Sequence, residues 1–314
     1  MTKKLLAIVL GLSAWIGGTV AGTIGNGTAA QATPLFELEK AHADYSPSLD
    51  GSTPIFILLM GSDSRPGVTP MDKGRSDSIH ILGINPAAHR ATIYGIPRDS
   101  YVPLSTGGTD KINAAMPIGG PEAEMQTVEN VTGIKFDYYV LTGFQQVTQA
   151  VNQIGGLEVN VPYSVVGYQQ TFPSGLHRMT GQEVLGYSRT RHSLPLGDFD
   201  RSLNQGVVLL SALSQFRTEY AKDPTRLYTW LGAGLRTVQT TVPIDELIKL
   251  AGLAQSIPAT RVTNLVALGT SAMQGSQSIV NLSPENQALW QDMAQDGYIL
   301  SKDIPKDATP APLP

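Results

Sequence analysis

Short, nearly continuous apolar runs alternate along this chain with stretches whose apolar residues recur at helical spacing, and that alternation confines it to an α/β architecture. Residues 54–60 (PIFILLM) read as a strand buried on both faces, since a half-exposed strand would alternate apolar with polar. Residues 78–84 and 91–96 read as two more strands, joined through the turn-forming pair Asn85-Pro86. A helix over 120–131 opens on Pro121, a favoured first helical position, and a strand follows at 138–141. Phe144, Val147, Val151 and Ile154 share one helical stripe, which Gly155-Gly156 ends before a strand at 157–161.

Farther along, Thr180 with Glu183 three residues later forms a capping box at the head of a short helix over 180–187. A long helix over 200–216 places Leu203, Val207, Leu210 and Leu213 on one stripe. Helices over 225–239 and 244–254, a strand at 262–268 and a helix over 283–293 complete the pattern. The expected fold is α/β, with a mixed central β-sheet sandwiched by helices (α-β-α) and preceded by one N-terminal transmembrane or signal helix.

That N-terminal expectation rests on Lys3 and Lys4, which precede an uncharged apolar run over 5–24, with no charged residue until Glu37. About 20 apolar residues span a bilayer as a helix, and leading lysines keep the N-terminus cytoplasmic. Ala30-Gln31-Ala32 also fits a signal-peptidase site, so the segment is either a single-pass anchor or is cleaved after Ala32. Both readings put the rest of the chain outside the cytoplasm. The layout is then an anchor or signal over 1–32, a linker over 33–52, one domain over 53–300 and a proline-rich disordered tail over 301–314.

Composition removes whole classes of chemistry. With 22 Lys+Arg against 26 Asp+Glu the net charge is −4, which argues against a nucleic-acid partner. There is no cysteine, hence no disulfide, thiolate nucleophile or Cys-ligated metal. Phosphate-loop, dinucleotide-glycine, zinc-protease and hydrolase-elbow motifs are also missing.

What remains is a set of charged residues just after apolar strands, Asp63 and Arg65, Arg75 and Asp77, Arg98 and Asp99, and a second collection of polar residues farther on: Arg189, Arg191, Asp198, Asp200, Arg201 and Gln205. Strand ends are where α/β sites form. Guanidiniums bind phosphate oxygens bidentately, and paired carboxylates hold a hard divalent cation such as Mg²⁺ or Mn²⁺. Phosphoryl transfer needs little beyond such positioning and charge, although Arg and Asp neighbours also form ordinary surface ion pairs.

The order of the blocks carries more. ILLMGSDSRPG, GRSDSIHILGINP, YGIPRDSYVPL, DKINAA, GGPEAEMQTVENVTGIKFDYYV, QIGGLEVNVP and GYSRTRH followed by GDFDRSLNQ resemble, in register over 55–205, the LytR-CpsA-Psr family of bacterial cell-wall glycopolymer ligases. The resemblance implies a transferase at the outer face of the cytoplasmic membrane. It would move a glycopolymer from a polyprenyl-pyrophosphate carrier to peptidoglycan through a phosphodiester. It also implies Mg²⁺ on Asp63 and Asp77 and pyrophosphate on Arg98, Arg189 and Arg191, with Asp198, Arg201 and Gln205 matching a further family segment. By the same resemblance Lys111 would add a charge for the phosphates and Asn113 would orient its loop, with Arg65 and Arg75 as secondary candidates. Asp77, Arg98 and Asp198 are expected to act in catalysis, Asp77 or Asp198 as the base. Asp200 replaces a usual glycine, and Asn204 replaces a common arginine, which should remove one cation from the rim. A hydrolase of lipid-linked pyrophosphate and a silent polyprenyl-phosphate-binding protein stay open beside the transferase. The polyprenyl tail would need an apolar groove, for which the helices after Phe144 and around 207–213 are candidates.

Overall fold

The computed structural model describes residues 53–65, 67–167 and 170–305. The expected anchor and linker lie outside the described residues, as does 306–314. Among the described residues no helix is long and apolar enough to cross a membrane.

A six-stranded mixed sheet forms the centre. It contains β1 (Ile55–Ser62), β2 (Ser76–Asn85), β3 (Arg90–Gly95), β6 (Tyr138–Gly143), β11 (Val238–Thr240) and β12 (Val262–Val266), in the order β11-β6-β1-β2-β3-β12. β1 runs parallel to β6 and antiparallel to β2, β2 is antiparallel to β3, and β3 is parallel to β12. The C-terminal ends of β1, β3, β6 and β12 therefore share one edge of the sheet, where β2 begins.

Both faces of β1 are apolar, as its unbroken apolar run requires. Phe56, Leu58 and Met60 pack with α1 (Ala115–Thr132) and α7 (Asn286–Asp296) through Met125, Val128 and Trp290. Ile55, Ile57 and Leu59 face α4 (Asp198–Lys222) and α6 (Ile244–Ser256) through Leu210 and Leu250. A third cluster lies beside the sheet. It joins α2 (Phe144–Gln153), α3 (Gly181–Arg189) and α5 (Arg226–Leu235) to β7 (Leu157–Val161). β7 pairs with β10 (Gly175–Met179) rather than with the central sheet. Three further small ribbons are β4 with β5 (Tyr101–Pro103, Thr109–Lys111), β8 with β9 (Val165–Val166, Thr171–Phe172) and β13 with β14 (Gly269–Gln274, Gln277–Leu282).

Several boundaries differ from those read in the sequence. α1 starts at Ala115, and Gly120 breaks its geometry at φ 81°, so Pro121 opens the second segment rather than the whole helix. α4 begins two residues earlier and ends six later than expected, its polar C-terminal turns held by packing. The helix expected over 225–239 stops at Leu235, and its last part becomes the edge strand β11. The chain also stays ordered beyond 300: a single helical turn at Ser301–Asp303 leads Ile304 into the main core, so the start of the expected disordered tail is part of the domain. The capping box at Thr180 and Glu183 is present as read, with both reciprocal bonds made.

Candidate active site

The charged residues collect at the sheet edge where the parallel strands end. A β-bulge builds part of it: Gly61 pairs with Ser78 and Ser62 with Ser76, so Asp77 is the extra residue of β2 and its side chain is turned out of the regular ladder. Asp63 lies one residue past β1. Its N–H donates to the Arg75 carbonyl at 2.9 Å, and its Oδ1 accepts from the Arg75 N–H at 2.8 Å.

Arg98, three residues after β3, pairs through Nη1 with Asp77 Oδ1. Its Nε lies 4.0 Å from Asp198 Oδ1 at the head of α4. One turn along, Arg201 places Nη2 2.6 Å from the same oxygen. Gln205 follows at i+4 and donates to the backbone carbonyls of Asp77 at 3.2 Å and Ser188 at 3.1 Å, tying α4 to β2 and α3. A second ion cluster adjoins the first. Asp99 Oδ1 is 3.0 Å from Lys111 Nζ, and its Oδ2 is 3.8 Å from Arg191 Nη1.

Burial sets the electrostatics. Desolvation pushes the Asp198 carboxyl upward, and the adjacent guanidinium of Arg201 only partly opposes it. The same burial pulls Arg201 down against Asp198. For Arg98 burial acts downward, but Asp77, Asp99 and Asp198 together outweigh it and raise the group. Asp198 Oδ2 and the Nε donors of Arg98 and Arg201 are buried and make no hydrogen bond. Unused buried donors are costly, and an anionic oxygen is the partner that would satisfy them. Behind this set His80 is fully buried, with Nδ1 3.1 Å from Ser78 Oγ and Nε2 3.0 Å from the Ser202 carbonyl. Desolvation lowers it to about 4 despite the Ser202 bond, so it is a neutral packing residue of the strand.

A cavity of about 350 Å³ opens beside the ion pairs. Asp77, Arg189, Arg201 and Gln205 border it, while Val140, Val147, Val151, Leu209 and Trp230 make its walls apolar. Both helical segments expected to line a groove, α2 and the middle of α4, do so. The Arg189 guanidinium stacks over the Phe144 ring, 4.4 Å from its centre.

Arg98, Asp77, Asp198, Arg201 and Gln205 thus come together, with Lys111 and Arg191 one carboxylate away. Arg75 is exposed and reaches Asn113 Oδ1 at 3.3 Å, whereas Arg65 is exposed and among the described residues has no charged partner. Asn204 corrects an expectation. It is 1 % exposed and accepts from the Tyr187 hydroxyl at 3.0 Å and the Tyr163 hydroxyl at 3.4 Å. One step from Gln205 on α4, it points into the satellite core and not to a rim. Asp200 caps the preceding loop, its Oδ2 accepting from the Leu196 N–H at 2.8 Å. Asp99 had no role assigned from sequence, although it stands beside Arg98 in the same motif.

For a metal, the chemistry of the donor set is the test. Among the described residues no group of three or more His, Asp or Glu could hold an ion. Asp63 and Asp77 supply hard oxygens, the donor type Mg²⁺ takes when one or two carboxylates are completed by substrate phosphates, so their chemistry is of the kind that suits that ion.

The LytR_cpsA_psr family matches residues 23–295. A protein of Bacillus anthracis named polyisoprenyl-teichoic acid–peptidoglycan teichoic acid transferase TagU is 30% identical over 223 residues, 68% of this chain and 72% of that one. The protein of the same name from Bacillus subtilis is 32% identical over 173 residues, 55% of each chain. Among solved structures, that of B. subtilis TagV superposes with a TM-score of 0.67 at 26% identity, covering 82% of this chain and 99% of its own.

Proposed function

This chain belongs to the LytR-CpsA-Psr family, and from that premise we propose that it transfers a glycopolymer from a polyprenyl-pyrophosphate carrier to peptidoglycan through a phosphodiester, outside the cytoplasm. The names of its Bacillus relatives support the reaction class. The observation that carries the reading is one juxtaposition: the buried, unspent guanidinium donor of Arg201 borders an apolar cavity, and that of Arg98 stands behind Asp77, which borders it too. A substrate with an anionic pyrophosphate on an apolar tail matches both halves.

In this mechanism Arg98 and Arg201 bind the pyrophosphate oxygens, and Arg189 and Arg191 extend the cationic rim. The tail lies along α2 and α4. An acceptor hydroxyl oxygen attacks the phosphorus that bears the glycopolymer. The new P–O bond forms as the bond to polyprenyl phosphate breaks, and polyprenyl phosphate leaves as an anion beside Arg98. Asp198, whose basicity burial increases, takes the hydroxyl proton, while Asp77 holds Arg98 in place. Asp63 and Asp77 are the residues that would hold Mg²⁺, which when bound supplies charge neutralisation for the phosphates. Gln205 fixes the backbone of Asp77.

The test incubates the protein with a short-chain polyprenyl-pyrophosphate glycan, peptidoglycan oligomers and Mg²⁺, with mass spectrometry as the readout. A phosphodiester-linked product from wild type that vanishes with Arg98→Ala or with chelator is the expected result. Release of polyprenyl phosphate with no linked product would replace the transferase by a hydrolase.

A further inference from the structure

Building on the transferase reading, we propose that the β13–β14 hairpin is the docking surface for the acceptor, and that it recognises the uncharged N-acetylated glycan backbone of peptidoglycan. β12 ends at the same sheet edge as the active site because it runs parallel to β3, and the hairpin leaves the sheet there, starting at Gly269. Its backbone is joined to the catalytic loop. The Val280 N–H donates to the Asp99 carbonyl at 2.8 Å, and Val280 forms a parallel bridge with Ser100. The hairpin is thereby held to the two residues that follow Arg98.

Its composition contrasts with the rest of the site. From 262 to 284 the chain contains no charged residue, whereas Arg98, Lys111, Arg191 and Arg201 crowd the ion clusters of the site. A pyrophosphate donor is drawn to the cations; a neutral glycan gains nothing from them and is recognised through hydroxyl and amide groups. The ladder supplies those groups in register. Thr270 pairs with Asn281 and Gln274 with Gln277, four positions apart along β13, so all four side chains stand on one face of the ribbon. All four are exposed, and among the described residues none of their side chains makes a hydrogen bond. Each carboxamide offers both donor and acceptor, the complement of sugar hydroxyls and acetamido groups. β13 is also an edge strand paired on one side only, without the charge or proline that ordinarily blunts such an edge.

The experiment sediments the full-length protein in detergent with peptidoglycan sacculi stripped of attached polymers, and in parallel measures transfer to soluble peptidoglycan oligosaccharides. Wild type is compared with Gln274→Ala/Gln277→Ala/Asn281→Ala, with the single variant Gln277→Ala, and with Arg98→Ala. Losing the carboxamides should raise the acceptor KM about tenfold and cut sacculus binding comparably, with a smaller rise for the single variant. Donor KM and donor cleavage without acceptor should not change, while Arg98→Ala should lose transfer and still sediment. If wild type sediments through the hairpin but links no product, the transferase reading fails and the docking surface stands. The proposal is overturned if the triple variant keeps wild-type acceptor KM and sedimentation, if wild type does not bind sacculi, or if Arg98→Ala abolishes binding as fully as the hairpin variant.

Discussion

Asp198 lies between two guanidiniums, and its buried Oδ2 makes no hydrogen bond, so its charge is sustained by Arg98 and Arg201 and not by a ladder of donors. Replacing it with Asn keeps the shape and removes the base. Transfer should fall by about 10² to 10⁴, and the acidic limb of the rate–pH profile, which an upward-shifted carboxyl imposes as it protonates, should vanish. An acidic limb that persists in Asp198→Asn would move the role to Asp77. Asn204 makes the opposite case. Restoring an arginine there buries a guanidinium beneath Tyr163 and Tyr187, and the melting temperature should drop by an amount equivalent to several kcal/mol, with no gain in donor affinity. A variant that is stable and binds donor more tightly would show that α4 rotates to present the side chain. Neighbours in the motif, Asn204 and Gln205, thus have unrelated jobs, a difference that residue identity alone does not carry.

At the level of elements, the cavity depends on how closely α3 approaches α2. Gly181 opens α3, and a Cβ there would stand 2.1 Å from the Thr148 carbonyl oxygen, a backbone atom that can yield only if the helix moves. Gly181→Ala should therefore destabilise the protein by about 1–3 kcal/mol and weaken donor binding as the cavity wall shifts. Gly186 in the same helix is the control. A Cβ there meets only the Phe172 ring at 3.5 Å, so Gly186→Ala should be neutral, or stabilising by about 0.5–1 kcal/mol through helix propensity. Paired thermal melts decide it; equal effects at both sites would contradict the close helix approach. The capping box that starts α3 was legible in the sequence because its two bonds span three residues. The pairing of β7 with β10 was not, since nothing in a five-residue strand of alternating apolar and polar residues specifies which edge it joins.

For the molecule as a whole, pH dependence follows from Glu124, fully buried behind the bulge. It accepts from Ser76 Oγ and from the Met116 N–H, yet desolvation raises it to about 8. A carboxyl raised in the folded state favours folding while protonated, and that contribution is lost as pH climbs from its unfolded value near 4.5 toward 8. Glu124→Gln mimics the protonated form, with its amide donating to Ser76 Oγ and its carbonyl accepting from Met116. Its stability advantage over wild type should grow by on the order of 1 kcal/mol per pH unit between about 5 and 8. Denaturation at both ends of that range measures it, and a difference independent of pH would mean that Glu124 is ionised throughout. His80 acts with opposite sign. Lowered to about 4, it must stay neutral in the fold, so its contribution is lost as pH falls from 6.5.

Local patterns decided a good deal unaided. The unbroken apolar run of β1 demanded cover on both faces, the stripe of α2 and the middle of α4 announced apolar walls, and charges placed after strand ends marked the edge where a site forms. These are properties of residues within a few positions of one another. Tertiary structure alone decided that the bulge turns Asp77 toward Arg98, that Asp198 stands between two guanidiniums contributed by different elements, that Asn204 is core, and that an uncharged hairpin from the far edge strand returns to the catalytic loop. The physical reason is the same each time. Those contacts join residues distant along the chain, and their geometry is set by how helices and strands pack, a quantity that no local window of sequence contains.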